Sequence, residues 1–278
     1  MAVDGDRLAA LLDHFSITAR TFHTGMLCGS NGLQGEAGVG QLHLVRQGAV
    51  EVFHGAVLAT RITEPSLLLY PRPLAHRFVT DSEHGAAFAC ANLLFDGGPA
   101  NPVAMALPDF VCLPLSALPG AAPVLELLFE EAFARNCGRQ AMLDRLFEAV
   151  LIQILRCLME DGLVQTGMLA GMAHPQLRRA LVAIHEHPAR DWSLEELADH
   201  AGMSRSVFAN SFRDRIGCTP GVYLQRWRIN LAQQAMVRGR ALKFVATDVG
   251  YGSEAAFSRA FKACAGISPG QWRAARRA

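Results

Sequence analysis

Residues 191–220, DWSLEELADHAGMSRSVFANSFRDRIGCTP, and residues 241–273, ALKFVATDVGYGSEAAFSRAFKACAGISPGQWR, share one rhythm, which restricts the chain more than any other feature. In the first unit, Ser193 followed by Glu196 predicts a capping box opening a helix. Leu194, Leu197 and Ala198 face inward, and Gly202 stops that helix. Ser204 then caps a second helix whose expected buried stripe is Val207, Phe208, Ser211, Phe212 and Ile216. In the second unit Val245 and Val249 pack, Gly250 turns, and Ser253 caps a helix with Phe257 and Phe261 inside. Phe208 stands to FRDRIGCTP (212–220) as Phe257 stands to FKACAGISP (261–269), an offset of 49 residues. Two short helices joined through a glycine turn make a helix-turn-helix. Two copies predict an all-α domain built around a pair of them.

The 278 residues suggest a second domain. Half of them are hydrophobic, so there is ample material for a core. Net charge is only +1, yet it is divided unevenly. Residues 174–278 hold 16 Lys and Arg against 8 Asp and Glu, whereas residues 1–173 hold 10 against 17. A basic back half is consistent with a nucleic-acid partner. The start, MAVDGDRLAALLDHF, lacks the basic and apolar regions of a signal peptide. The longest apolar run, FEAVLIQILRCLM, is broken by Gln153 and Arg156, too early for a membrane span. Seven scattered cysteines with no CxxC pair argue against a disulfide framework and for a reducing cytoplasm.

Residues 6–15 read as a short helix. From about 20 to 115 the texture changes to the runs RTFHTGMLC, GQLHLVRQ, AVEVFHG, SLLLYP, AAFACANLLF and FVCLPL. Gly, Pro, Asn and Asp separate them, which predicts an all-β sandwich or barrel. Two helices follow, PVLELLFEEAFARN and GRQAMLDRLFEAVLIQILRCLMEDG. In the second, Leu143, Leu146, Phe147, Val150, Leu151, Ile154 and Leu158 form a stripe wide enough both to pack on the barrel and to meet another protomer. GLVQTGMLAGMAHP (162–175) reads as a linker. The expected division is a β-rich domain with C-terminal helices over 1–162, a linker over 163–175 and a helical domain over 176–275.

The paired units resemble the DNA-binding domain of AraC-type transcription regulators. The resemblance covers about residues 174–273. It rests on SLEELADHAGMS, on the connecting helix GCTPGVYLQRWRINLAQQAM, and on the ending Gly266-Ile267-Ser268-Pro269-Gly270-Gln271-Trp272-Arg273. It implies two recognition helices entering successive major grooves of promoter DNA. A connecting helix of about 20 residues spans roughly 30 Å, near the ~34 Å of one DNA turn. Carried over by position, the base-facing sites fall at Ser206, Ala209 and Asn210 in the first helix. In the second they fall at Glu254, Ala255, Ser258 and Arg259. Asn210 suits adenine, Ala209 a thymine methyl, Arg259 guanine and Glu254 cytosine N4. Against base reading by Arg259 stands a phosphate contact, the commoner fate of an arginine at DNA. Arg205, Arg213, Arg226, Arg228 and Lys262 are candidate phosphate partners. Phe208, Phe212, Phe257, Phe261, Tyr223 and Trp227 are read as core.

The front half resembles the cupin-type sensor of such regulators, within the subset that includes oxidant- and reactive-chlorine-responsive members. Pro71-Arg72-Pro73-Leu74-Ala75-His76 follows the cupin P-x-G-x-x-H motif with proline in place of glycine. His43 fills the first place of H-x-H, but Val45 stands at the second, and Glu51 lies outside the expected spacing. A metal-dependent cupin enzyme is therefore disfavoured and no catalytic residue is assigned. Cys90 shares the strand face of Phe88 and Asn92, so His43, His76 and Cys90, with Cys28 or His23 as a fourth ligand, would suit zinc or another thiophilic ion. The resemblance also raises a redox switch through Cys28 and Cys90. For each His or Cys the competing reading is simple core packing. The sequence thus predicts a two-domain cytoplasmic regulator. A cupin-like barrel with flanking helices senses a metal or an oxidant, and a dual helix-turn-helix binds double-stranded promoter DNA. The chain would be a homodimer, with RNA polymerase a further partner if it activates, and no membrane is involved. A small organic effector, or a cupin enzyme fused to a DNA-binding module, are the alternatives.

Overall fold

The computed structural model describes residues 6–36, 38–96, 101–160 and 164–276. Its strands are β1 (Ile17–Leu27), β2 (Ser30–Leu33), β3 (Val39–Gln47), β4 (Val50–His54), β5 (Val57–Ile62), β6 (Ser66–Tyr70), β7 (His76–Thr80), β8 (Ala86–Phe95) and β9 (Val111–Pro114). Its helices are α1 (Ala9–His14), α2 (Pro102–Ala106), α3 (Ala122–Phe133), α4 (Arg139–Glu160), α5 (Met168–Ala173) and α6 (Leu177–Glu186). They continue with α7 (Leu194–Ala201), α8 (Arg205–Ile216), α9 (Pro220–Val237), α10 (Leu242–Asp248), α11 (Glu254–Ala265) and α12 (Pro269–Ala275). Two units result. One comprises Ser16–Pro99 and Leu107–Asp161, and the other Met1–Phe15, Ala100–Ala106 and Gly162–Ala278, each as far as it is described.

The first unit is a two-sheet β-structure. One sheet has the order β1-β8-β3-β6-β9 and the other β2-β7-β4-β5, with antiparallel pairing throughout. Alternation along β3, β4, β6 and β8 sends Val45, Val52, Leu68, Tyr70, Phe88 and Cys90 to a shared core with Phe78 of β7. The six strand runs expected from sequence correspond to β1, β3, β4, β6, β8 and β9. β2, β5 and β7 were not among them. β2 is the short, polar SNGL, and β5 is exposed along most of its length, so neither carries a clear alternation.

Helices α3 and α4 belong to the same unit, and α4 runs along the edge strand β1. The Thr21 N–H donates to Asp144 Oδ1 at 2.7 Å, and the Ala19 N–H donates to Glu148 Oε1 at 3.1 Å. Two carboxylates one helical turn apart thus satisfy backbone donors that an edge strand leaves unpaired. Leu143, Leu146, Phe147, Val150, Leu151, Ile154 and Leu158 are all buried. The stripe expected to serve a protomer interface is therefore already covered, and Met142 is the large apolar side chain α4 leaves exposed.

The second unit is all-α, and it corrects two expected boundaries. The supposed linker 163–175 contains α5, whose Met168, Leu169, Ala170, Gly171 and Met172 are buried. A Cβ on Gly171 would lie 2.7 Å from Leu181 and 2.9 Å from Ile216, so this segment is packed against the helical domain. Residues 162 and 163 lie outside the described residues. The N-terminal helix likewise groups with the second unit. Leu8, Leu11 and Phe15 are buried, Phe15 meets Trp227 edge-on at 5.0 Å, and the Gln234 side chain donates to the His14 carbonyl. Leu8, Leu11 and Phe15 recur at helical spacing, but nothing in that pattern says which domain they cover.

Candidate signal and DNA-recognition sites

His43 lies on β3, and its Cα partners are Cys90 on β8 and Leu68 on β6. His76 opens β7 in the opposite sheet. Their Nε2 atoms meet at 3.1 Å, which joins the two sheets through the core. His76 Nδ1 donates to the Leu74 carbonyl at 2.8 Å. That bond fixes the tautomer, so His76 Nε2 presents a lone pair and His43 Nε2 donates to it. His43 Nδ1 is then buried without a partner, as is Nε2 of His23, the residue paired with Cys90 on β1. Aromatic rings close around the pair. Tyr70 stacks on His76 at 4.0 Å, Phe78 meets His43 edge-on at 5.0 Å, and Tyr70 Oη shares a 3.1 Å hydrogen bond with His54 Nε2.

Burial holds His43 well below the usual imidazole range, and the neighbouring His76 and His23 push it the same way. Burial also lowers His76, while its bond to Leu74 opposes that shift and His54 adds to it. Both rings are therefore neutral at pH 7. Burial raises the Cys90 thiol far out of the thiolate range.

The structure brings His43 and His76 of the expected set into contact, with Cys90 and His23 in register beside His43. It does not bring in Cys28. Leu27 pairs with Ala86 while His23 pairs with Cys90, so Cys28 sits five strand positions beyond His23. That is roughly 16 Å along the strand. Cys28 Sγ lies against Gly85 instead. Cys28 is therefore neither a fourth ligand at this centre nor within reach of a disulfide with Cys90. Among the described residues no three His, Cys, Asp or Glu side chains form a ready-made metal centre. Glu51 pairs with Arg61 at 2.9 Å, away from the histidines. Sequence reasoning passed over Tyr70 and His54. Tyr70 shares the inward face of Leu68 two residues earlier, a period-2 signal that was available.

In the second unit each expected helix-turn-helix is present. Ser193 and Glu196 form the capping box of α7, and Gly202 ends it in the left-handed region at φ 63°. The Ser204 and Ser253 side chains cap α8 and α11. Phe208, Phe212, Phe257 and Phe261 are fully buried, and Tyr223 and Trp227 are buried on α9. Gly250 sits at φ +86° against Ala189, where a Cβ would lie 2.5 Å from the Ala189 carbonyl oxygen. Of the base-facing candidates, Ser206, Asn210, Glu254, Ala255 and Arg259 are exposed, while Ala209 and Ser258 are half-buried. Arg205, Arg213, Arg226 and Lys262 are exposed. Arg228 departs from the expected phosphate role, because its guanidinium donates to the carbonyls of Pro188 at 2.6 Å and Arg190 at 2.8 Å. Val207 departs from the expected core, being 51% exposed. It precedes Phe208, and only the phenylalanine faces the core.

Among the described residues no helix is long and apolar enough to cross a membrane. Residues 6–160, more than half the chain, match the Cupin family, and residues 197–275 match the family described as a helix-turn-helix domain. The cupin match includes the α1 segment that packs in the helical unit. A helix-turn-helix transcriptional regulator of Haemophilus influenzae is 29% identical over 86% of this chain and 87% of its own. The RCS-specific transcriptional activator RclR of Escherichia coli is 28% identical over 86% of both chains. The transcriptional regulator AlkR of Acinetobacter baylyi is 33% identical over 70% of this chain and 65% of its own. With a two-sheet β-domain, two capped helix-turn-helix units and these relatives, the chain belongs to the cupin-bearing AraC-type family of DNA-binding transcription regulators.

Proposed function

We propose that this regulator is a cytoplasmic, non-enzymatic sensor whose promoter binding follows the occupancy of the His43–His76 site by a thiophilic metal ion such as zinc. The 3.1 Å approach of the two Nε2 atoms carries the reading. Two imidazole nitrogens on one tetrahedral zinc sit about 3.3 Å apart. Neutral imidazole is the ligating form, and burial keeps both rings neutral. The Leu74 carbonyl on His76 Nδ1 is the second contact a ligating histidine usually has. With two nitrogens converged, His23 and Cys90 are the protein donors next in line, and each pairs in register around the same point of β8. A bound ion would supply positive charge to the core and tie β3 to β7. A site left incomplete without its ion suits a sensor, since the ion's binding free energy then favours one of two arrangements.

The output is read from α8 and α11. Asn210 and Arg259 face solvent without a hydrogen-bond or ion-pair partner among the described residues, as base-reading groups should. Arg205 and Lys262 serve the phosphate backbone. Promoter DNA is the partner, and the buried α4 stripe gives homodimerisation through that helix no support. An oxidant signal has less support here, because Cys90 is a buried thiol distant from Cys28.

A second reading, a small organic effector, is favoured by one observation. A surface pocket of about 490 Å³ is lined by His54, Ala59, Arg72, Pro73, Leu74, Asp109 and Phe110. His54 bonds Tyr70, and Tyr70 stacks on His76, so an occupant there adjoins the same pair.

The test is promoter binding and metal content measured together, for protein purified without chelator. Zinc should bind the wild type, change its promoter affinity, and do neither in His43→Ala or His76→Ala. Zinc binding that survives both substitutions, or that leaves promoter affinity unchanged, overturns the metal reading.

A further inference from the structure

The two helix-turn-helix units superpose in sequence at an offset of 49, so the side chains each recognition helix shows to DNA can be compared place by place. The scaffold residues are identical in type. Ser204 and Ser253 cap, while Phe208 and Phe257, then Phe212 and Phe261, fill the core. The outward residues are not. Arg205 corresponds to Glu254, Ser206 to Ala255, Val207 to Ala256, Ala209 to Ser258 and Asn210 to Arg259.

On α8 the exposed reading groups are Ser206, Val207 and Asn210. Val207 leaves about half its surface in water on a helix whose two phenylalanines are fully buried, so the core does not account for it. One helical turn on, Asn210 is exposed and unbonded among the described residues. An isopropyl group matches the thymine C5-methyl, and an asparagine amide pairs with adenine N6 and N7. Both preferences fall on an A·T pair. On α11 the corresponding groups are Glu254 and Arg259, both exposed and without a hydrogen-bond or ion-pair partner among the described residues. Arginine takes guanine O6 and N7, and a carboxylate accepts from cytosine N4. Both preferences fall on a G·C pair. Glu254 also favours the positive end of its own helix, a role independent of DNA.

We infer that the two recognition helices read half-sites of opposite composition: α8 an A·T half-site through Val207 and Asn210, and α11 a G·C half-site through Arg259 and Glu254. The operator is therefore directional and not a repeat of one half-site. Both helices pack on α9, whose 18 residues span about 27 Å. The half-sites then lie about one helical turn apart. The inference rests on the DNA-binding reading, and it adds Val207 to the residues that set specificity.

The experiment is selection of bound duplexes from a random library by the full chain, with and without zinc, followed by competition binding on the recovered sequence and its base-swapped versions. The wild type should recover an A·T block and a G·C block about ten base pairs apart. Arg259→Ala should relax only the G·C block, with about tenfold or greater loss of discrimination there. Val207→Ser with Asn210→Ala should relax only the A·T block. These positions are exposed, and unchanged thermal unfolding verifies that each variant is folded. Two blocks of the same composition, a single block, or relaxation of the wrong block overturns the inference while leaving DNA binding intact. Recovery of no sequence preference overturns it too, and retained salt-sensitive binding to random duplex shows whether DNA binding itself has failed. Glu254→Gln separates its roles. Base reading predicts lost cytosine discrimination at unchanged stability, and unchanged discrimination removes Glu254 from the readout.

Discussion

His43 and His76 come from different sheets and meet Nε2 to Nε2 at 3.1 Å, so each Nε2 finds its partner in the other inside an aromatic core. Removing either ring leaves the Nε2 of the other buried and without its partner. His76→Ala should therefore lower the sensor unit's unfolding free energy by about 1–3 kcal/mol. The loss should be smaller when both positions are made apolar together than the two single losses added. Denaturant unfolding of the singles and the double, read as a cycle, checks this, and simple additivity would refute the pairing.

The edge of β1 depends on Asp144, which is buried and accepts from the Thr21 amide at 2.7 Å and from Gln140 at 3.0 Å. Asp144→Ala should cost about 1–3 kcal/mol, because the amide loses its acceptor. Asp144→Asn should cost less, since its amide oxygen still accepts from Thr21. Hydrogen exchange at the Thr21 amide is the direct readout, and fast exchange confined to the alanine variant is expected.

His185 bonds the Tyr223 hydroxyl at 2.7 Å and stacks on Trp227 at 3.9 Å. Burial, with His14 nearby, pushes its pKa down to about 3. Below the ordinary imidazole value near 6.5 the unfolded chain binds a proton that the folded chain refuses. Stability contributed by neutral His185 is therefore whole above about pH 6.5 and is lost as pH falls toward 3, at a limiting slope near 1.4 kcal/mol per pH unit. His185→Phe should flatten the stability profile between about pH 6.5 and 5, measured by denaturant unfolding against wild type. An unchanged slope would remove His185 as the cause.

The two turn glycines should differ in their tolerance of alanine. Gly202 and Gly250 both lie at positive φ, but a Cβ on Gly202 meets only the far end of Arg179, at 3.8 Å. On Gly250 it meets the Ala189 backbone at 2.5 Å. Gly202→Ala should cost about 1–2 kcal/mol, the left-handed penalty alone, and Gly250→Ala distinctly more. Thermal unfolding of the two variants side by side decides this.

Oxidation should find Cys28 and spare Cys90, because one thiol is exposed and the other is buried with a raised pKa. Alkylation followed by peptide mass spectrometry should show Cys28 modified before Cys90 in the folded protein. An intramolecular Cys28–Cys90 disulfide after mild oxidant would contradict the strand register.

Much of this protein was legible in its sequence, because the relevant physics is local. The helix-turn-helix repeat announced itself through caps, glycine turns and phenylalanines three and four residues from the next core position, all of which act within a turn or two of chain. The resemblance to AraC-type regulators put Asn210 and Arg259 at base-facing positions, and both are exposed. Locality failed at Val207, where helical spacing permits either the core or its margin and only the packing of Phe208 decides. It also failed for α5 and for the N-terminal helix. Their apolar residues had to be buried somewhere, but which domain would cover them depends on surfaces far away in sequence. Cupin-like spacing singled out His43 and His76, yet the meeting of their nitrogens needed two sheets to be stacked. Strand register, a long-range quantity, drew His23 to the site and sent Cys28 to the far end of β1. Sequence alone determined a β-rich front half and a repeated, capped helix-turn-helix behind it, since periodicity and caps are properties of neighbouring residues, and the resemblance to AraC-type regulators added the DNA-binding role. Tertiary structure alone decided which side chains meet around His43 and His76, since convergence is a property of residues that only folding brings together.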